Sequence, residues 1–216
     1  MTDPALIVAI EGPCCAGKTT LGQALLGDLG RDHQVEYVRD YADWAGGGRH
    51  LPPPMPDTIA GEERALRQLL AIEVDRTAAA RAASHELDLV LIDRSVHTLL
   101  AHCAALTALT GTDHAATADR IVRPSAGALW PDLVLYLDID HTVVHARNNG
   151  KFPPGSLFTD TRFNQAIRSY FHTLTGMSQP RVRWLDGATS ARLLHLRAKA
   201  HLIKSLPISA EEEDRP

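Results

Sequence analysis

Hydrophobic and polar positions along this chain follow two alternating patterns. Five short apolar runs, Leu6–Ile10, Val35–Val38, Leu87–Ile92, Leu133–Ile139 and Val182–Leu185, have the length and composition of buried strands. Alanine-rich stretches with apolar residues at helical spacing lie between or after them, at 61–84, 95–109, 115–123 and 188–205. A shorter one, Thr20 to Leu26, follows the first strand directly. Strands alternating with helices predict an α/β fold with a five-stranded parallel sheet covered on both faces, three layers in all. We find no internal repeat.

Two stretches break the pattern. Trp44 to Asp57 carries Gly46-Gly47-Gly48 and Pro52-Pro53-Pro54, and Asn148 to Asp160 carries Asn148-Asn149-Gly150 and Pro153-Pro154-Gly155. Neither can be a regular helix, and loops of this length in compact domains are often lids or binding loops. The end of the chain, Glu211-Glu212-Glu213-Asp214-Arg215-Pro216, is expected to be a solvated, disordered tail. We therefore expect one domain over 1–206 and an acidic tail over 207–216.

The most specific chemistry lies between the first strand and the first helix. Gly12, Pro13, Cys14, Cys15, Ala16, Gly17, Lys18 and Thr19 match the phosphate-loop pattern G-x-x-x-x-G-K-[ST], with Thr20 continuing into the helix. The glycines allow successive N–H groups to turn inward around a polyphosphate, and the helix N-terminus adds its positive dipole end. Lys18 is expected to reach the β- and γ-phosphates, and the Thr19 hydroxyl to take a Mg²⁺ position. The expected cofactors are ATP and Mg²⁺.

Bulk properties narrow the setting. With 216 residues, 44% hydrophobic and 22% charged, the chain suits one soluble domain. Its net charge of −4 gives no support for a nucleic-acid grip. The three cysteines do not make a disulfide framework, since bridging Cys14 to Cys15 would distort the loop. No stretch approaches the roughly 20 apolar residues of a membrane span. The N-terminus runs straight into the first strand, which leaves no room for a signal peptide. A cytoplasmic location is expected, with no membrane or nucleic-acid partner; a homodimer stays open.

A second site stands where the third apolar run ends, at Asp93-Arg94-Ser95. Ligands bind at the carboxyl ends of strands in open α/β sheets, so Asp93 and Arg94 should project into the cleft. A carboxylate there can hold Mg²⁺ or take a proton, and the arginine can fork onto phosphate oxygens. Ser95 suits the N-cap of the next helix.

These features occur in the order Glu11-Gly12, Ala16-Gly17-Lys18-Thr19-Thr20, Asp93-Arg94-Ser95, and Pro131-Asp132-Leu133 through Asp138. In that order the chain resembles the thymidylate kinase and deoxynucleoside kinase group of phosphate-loop kinases. Asp75-Arg76 on the long helix, and Phe163, Ile167, Tyr170 and Phe171 after the second loop, continue the likeness from about residue 6 to 200. The resemblance implies a P-loop NTPase fold, Mg²⁺-ATP as donor, and a small nucleotide or nucleoside acceptor. It also implies a small mobile lid at about 147–162 that carries Arg147, Lys151 and Arg162, and an acceptor-side loop at about 40–60. The catalytic candidates are Lys18, Asp93, Arg94 and Arg147. The acceptor-binding candidates are Glu11, Arg39, Asp40, Arg76 and Arg94, and the metal candidates are Thr19 and Asp93. Asp186-Gly187-Ala188-Thr189 is the place where the donor base would be held.

Cys14 stands where thymidylate kinases carry an acidic residue, and Ile72 where they carry an aromatic one that stacks on the base. The expected acceptor is therefore nucleotide-like but not thymidine monophosphate. Arg39, Arg76 and Arg94 favour an acceptor that is already phosphorylated, whereas Asp40 favours a neutral hydroxyl that needs a base. A GTPase-like regulator is disfavoured, because Asn-Lys-x-Asp is missing and no Asp-x-x-Gly follows the third strand.

Overall fold

The computed structural model describes residues 4–46 and 48–206; the expected acidic tail at 207–216 lies outside the described residues. Five parallel strands, β1 (Leu6–Glu11), β2 (Val35–Val38), β3 (Leu89–Asp93), β4 (Leu133–Asp138) and β5 (Arg181–Asp186), form one sheet in the order β2-β3-β1-β4-β5. The central strands are apolar on both sides because both sides are covered. Val8, Ile10, Leu89, Leu91, Leu133 and Leu135 meet the buried leucines of α1 (Lys18–Leu29) and α8 (Ala191–Ile203). Their sequence neighbours point the other way. Val90 and Ile92 join Ala80 of α3 (Ile59–Ala82), while Ala9, Val134 and Tyr136 join Ala101 of α4 (Val96–Thr110) and Phe171 of α7 (Thr161–Leu174). This is the expected α/β three-layer fold.

The remaining helices are α2 (Tyr41–Trp44), α5 (His114–Val122) and α6 (His141–Asn148). Two short helices come in addition to the expected elements, and one expectation needs correction. The Gly/Pro-rich stretch begins at the end of a one-turn helix, α2, which Asp40 caps by accepting from the Ala42 N–H. A helix, α6, precedes the second loop; Asp140 caps it by accepting from the N–H groups of Thr142 and Val143. The second loop is not wholly irregular, since it includes a 3₁₀ turn at Leu157–Thr159. Ser95 does cap α4, accepting from the His97 N–H. No helix among the described residues is long and apolar enough to cross a membrane.

Candidate active site

The phosphate loop leaves the carboxyl end of β1 at the middle of the sheet. Gly12 has a φ of +136°, and a Cβ there would come within 2.6 Å of the Leu137 carbonyl oxygen, so only glycine fits against β4. Lys18 is buried and donates to the carbonyl oxygens of Gly12 at 3.2 Å and Pro13 at 2.8 Å. Its pKa is lowered by burial first and by Arg94 second. Among the described residues this ammonium makes no ion pair within 4.0 Å, and a phosphate can supply one.

Register in the sheet places Asp93 beside Ile10, next to the start of the loop. Asp93 is fully buried, and its Oδ2 accepts from the hydroxyls of Thr19 at 2.6 Å and Tyr37 at 3.2 Å. Its Oδ1 is buried with no hydrogen-bond partner among the described residues. Buried carboxylate oxygens are rarely left so, and an oxygen donor set of Asp93 and Thr19 has the hard chemistry that suits Mg²⁺. The residues present therefore fit the expected metal. Tyr37 was not foreseen. It reaches Asp93 because Gly22 of α1 leaves room for its ring, where a Cβ would approach to 2.5 Å. Burial, then the Asp93 charge, pushes the Tyr37 hydroxyl pKa well up, so it stays a donor.

Arg94 has a φ of +65°, a conformation that costs a residue with a Cβ about 1–3 kcal/mol and clusters at functional sites. Its Nε donates to Asp40 Oδ2 at 3.0 Å, and it approaches Cys14 Sγ at 3.5 Å. Burial opposes its charge, but Cys14, Asp40, Glu11 and Asp93 around it together hold the guanidinium firmly protonated. Burial works against the Asp40 charge too, yet Arg94, the Ala42 N–H and Lys18 keep its pKa below the ordinary value.

Two cavities flank the loop. The larger, about 820 Å³, is lined by Gly12, Pro13, Cys14, Asp40 and Arg94 at the loop, then by Thr98, Leu99, His102, Cys103 and Leu106 along α4. Leu51, Pro52, Pro53 and Pro54 of the Gly/Pro-rich stretch form a further wall, with Leu66 and Leu69 of α3, Phe152 and Phe158 of the lid segment, and Phe163 of α7. The smaller, about 260 Å³, lies on the other side, lined by Cys15, Ala16, Gly17, Thr20, Arg147, Gly187, Thr189 and His195. Arg147 belongs to this second side, where it donates to the Gly187 carbonyl at 3.0 Å. Lys151 lines the larger cavity instead.

Three acceptor-binding candidates line neither cavity. Glu11 accepts from the Ser95 N–H and Oγ–H through Oε1, both at 2.8 Å, and from the Thr98 hydroxyl at 2.7 Å through Oε2. Both of its oxygens thus tie β1 to the first turn of α4, and burial raises its pKa despite these bonds. Arg39 is exposed. Arg76 is buried, with its Nε on Glu73 at 2.8 Å and its guanidinium 3.9 Å from the Tyr41 ring centre. Its terminal nitrogens donate to the carbonyl oxygens of Arg39, Asp93 and Arg94. Those peptides carry Asp40, Asp93 and Arg94 into the site, so Arg76 holds the backbone of the site and is not available to an acceptor. Ile72 and Trp44 also lie off the cavity walls, and Trp44 is exposed. Arg162 is exposed and lines neither cavity.

A glycine-cradled loop between β1 and α1, with Lys18, Thr19 and a strand-end Asp93, places the protein among phosphate-loop nucleotide-binding domains. A family model described as AAA domain matches residues 7–176, most of the chain, and the chain belongs to that family. No curated protein matches the chain.

Proposed function

We propose that this protein is an ATP- and Mg²⁺-dependent phosphotransferase acting on a small hydroxyl-bearing acceptor. The observation that carries this reading is the pair of cavities on opposite flanks of one phosphate loop. Hydrolysis alone needs a nucleotide site, whereas transfer needs a second, water-excluding site at the same phosphates. The resemblance to the thymidylate kinase and deoxynucleoside kinase group supports the same reading.

ATP would place its base toward Gly187 and Thr189, beside Arg147, and its phosphates in the loop. Lys18 would exchange its loop carbonyls for phosphate oxygens, and Thr19 and Asp93 would hold the metal. Bound Mg²⁺ supplies charge neutralisation on the phosphate oxygens. The acceptor hydroxyl would lie at Asp40 and Arg94. Its oxygen forms the new bond to the γ-phosphorus, the bond to the β,γ-bridging oxygen breaks, ADP leaves, and the hydroxyl proton passes to Asp40. Arg94 and Lys151 would stabilise the transferring group.

A neutral acceptor fits better than a nucleoside monophosphate. An incoming phosphate would want forked cations, yet only Arg94 of the three candidate arginines lines the cavity, and Asp40 already pairs with it. Leucine, proline and phenylalanine walls suit an apolar body. The test is Mg²⁺-dependent ADP release across nucleosides, nucleoside monophosphates and neutral alcohols with apolar bodies. Stimulation at least tenfold over the acceptor-free rate by neutral alcohols is expected. Stimulation by thymidine monophosphate above all others would overturn this choice of acceptor.

A further inference from the structure

The large cavity does not end at the loop. It follows α4 from Thr98, one turn past the Ser95 cap, to Cys103 and Leu106, so its far end lies about 12 Å along the helix from the phosphoryl-transfer end. Glu62, from the first turn of α3, lines it and is only 2% exposed. Its Oε2 lies 2.8 Å from His114 Nδ1. Its Oε1 is buried and has no oxygen or nitrogen hydrogen-bond partner among the described residues. The donor beside it is the Cys103 thiol, a weak one: burial first, then the Glu62 charge and a thiol hydrogen bond to Glu62, push the thiol pKa well up.

The protons around this pair can be assigned. Thr110 gives its hydroxyl hydrogen to the Leu106 carbonyl at 2.9 Å, so its oxygen accepts from His114 Nε2 at 3.1 Å. At 2.8 Å a hydrogen bond joins His114 Nδ1 and Glu62 Oε2 whichever atom donates, so Oε2 is engaged and Oε1 is the oxygen left facing the cavity. A buried acceptor of this kind, among mostly apolar walls, is a recognition point for a donor and a penalty for anything lacking one.

We infer that the far end of this cavity is a specificity subsite in which Glu62 accepts a hydrogen bond from an N–H or O–H group on the acceptor. The acceptor would be an elongated small molecule with an apolar body, a phosphorylatable hydroxyl at one end and a hydrogen-bond donor at the other. This rests on the same cavity being the acceptor site.

Three matched alcohols test it: 3-(4-aminophenyl)propan-1-ol, its 4-methyl counterpart and its 4-carboxylate counterpart. At neutral pH the first donates at the far end, the second neither donates nor accepts, and the third only accepts. Calorimetric binding without ATP should give the amino compound an advantage of about tenfold or more over the methyl one, with the carboxylate weakest. In Glu62→Gln the amide should keep its oxygen on His114 and turn its NH₂ to the cavity. The amino advantage should then fall to within twofold while methyl binding stays unchanged, which also reports that the variant is folded. Equal binding of the amino and methyl compounds to the wild type overturns the inference without any variant, as does an amino advantage that survives Glu62→Gln. Phosphoryl transfer to the same compounds is assayed separately. Donor-selective binding without transfer supports the subsite and removes the kinase reading. Transfer to all three without donor preference removes the subsite and keeps the kinase.

Discussion

The two flanks of the phosphate loop are built from different material. On the smaller flank, Gly17, Thr20, Gly187 and Thr189 present small side chains and backbone beside Leu21, Leu194 and His195, with Arg147 held on the Gly187 carbonyl. On the larger flank, whole hydrophobic side chains from α3, α4, the Gly/Pro-rich stretch and the lid segment converge, with few polar groups among them. A nucleotide base is flat and shared by every turnover, so backbone and one cation can hold it. A cavity about three times larger, near 820 against 260 Å³, can discriminate by shape and by the few polar groups it contains.

The change with the largest expected effect should disable both flanks at once. Lys18→Ala removes the ammonium from the loop they share, and phosphoryl transfer should fall by about 10²–10³-fold or more. Circular dichroism should show a retained fold, and near-normal turnover by such a variant would break the comparison.

A second change separates two arginines that meet at the same peptide. Arg76→Ala leaves Glu73 buried without its cation and frees three carbonyls, so we expect a loss of about 3–5 kcal/mol, or about 10 °C in Tm. Arg94→Ala should instead raise the acceptor KM and lower kcat, with ATP affinity within about threefold of the wild type. If Arg94→Ala chiefly weakens ATP, the larger flank is not the acceptor side.

Smaller effects sharpen the division. Leu69→Asn, on the apolar wall, should raise the acceptor KM about tenfold and leave the ATP KM unchanged, while Arg147→Ala should do the reverse by a few-fold. Steady-state kinetics with each substrate varied in turn reads both.

The smallest expected effect concerns pH. His97 is buried, and burial, reinforced by Arg123, lowers its pKa to about 4 from 6.5. Between those values the unfolded chain binds a proton that the folded chain does not. This contribution to stability is complete above pH 6.5 and is lost as pH falls toward 4. Tm should therefore decline over that interval. His97→Gln should make the decline shallower without removing it, since burial lowers the pKa of His102 to about 4 as well.

The central part of the fold was legible because period and burial coincide there. Leu89, Val90, Leu91 and Ile92 face alternately into two cores, and covering both faces made the strand a continuous apolar run. The loop was legible because its glycines and lysine answer a fixed chemical demand. The two missed helices, α2 and α6, have only four and eight residues, and they begin at aspartate caps whose signal is one residue wide. Arg76 shows the limit within the site. An arginine near a nucleotide motif reads equally as a ligand for the substrate or for the backbone, and only the carbonyls of Arg39, Asp93 and Arg94 around it decide. Glu62, His114 and Cys103 carried no motif at all. They come from three different helices and meet only because α3, α4 and α5 pack together.

The central claim is that the phosphoryl group goes to a small molecule in the larger cavity. Phosphorus NMR of the products from Mg²⁺-ATP and 3-(4-aminophenyl)propan-1-ol tests it most directly. The account predicts a phosphate monoester of the alcohol in one-to-one ratio with ADP, and its loss in the Arg94→Ala variant. Inorganic phosphate as the sole product, formed at the same rate with and without the alcohol, would contradict it.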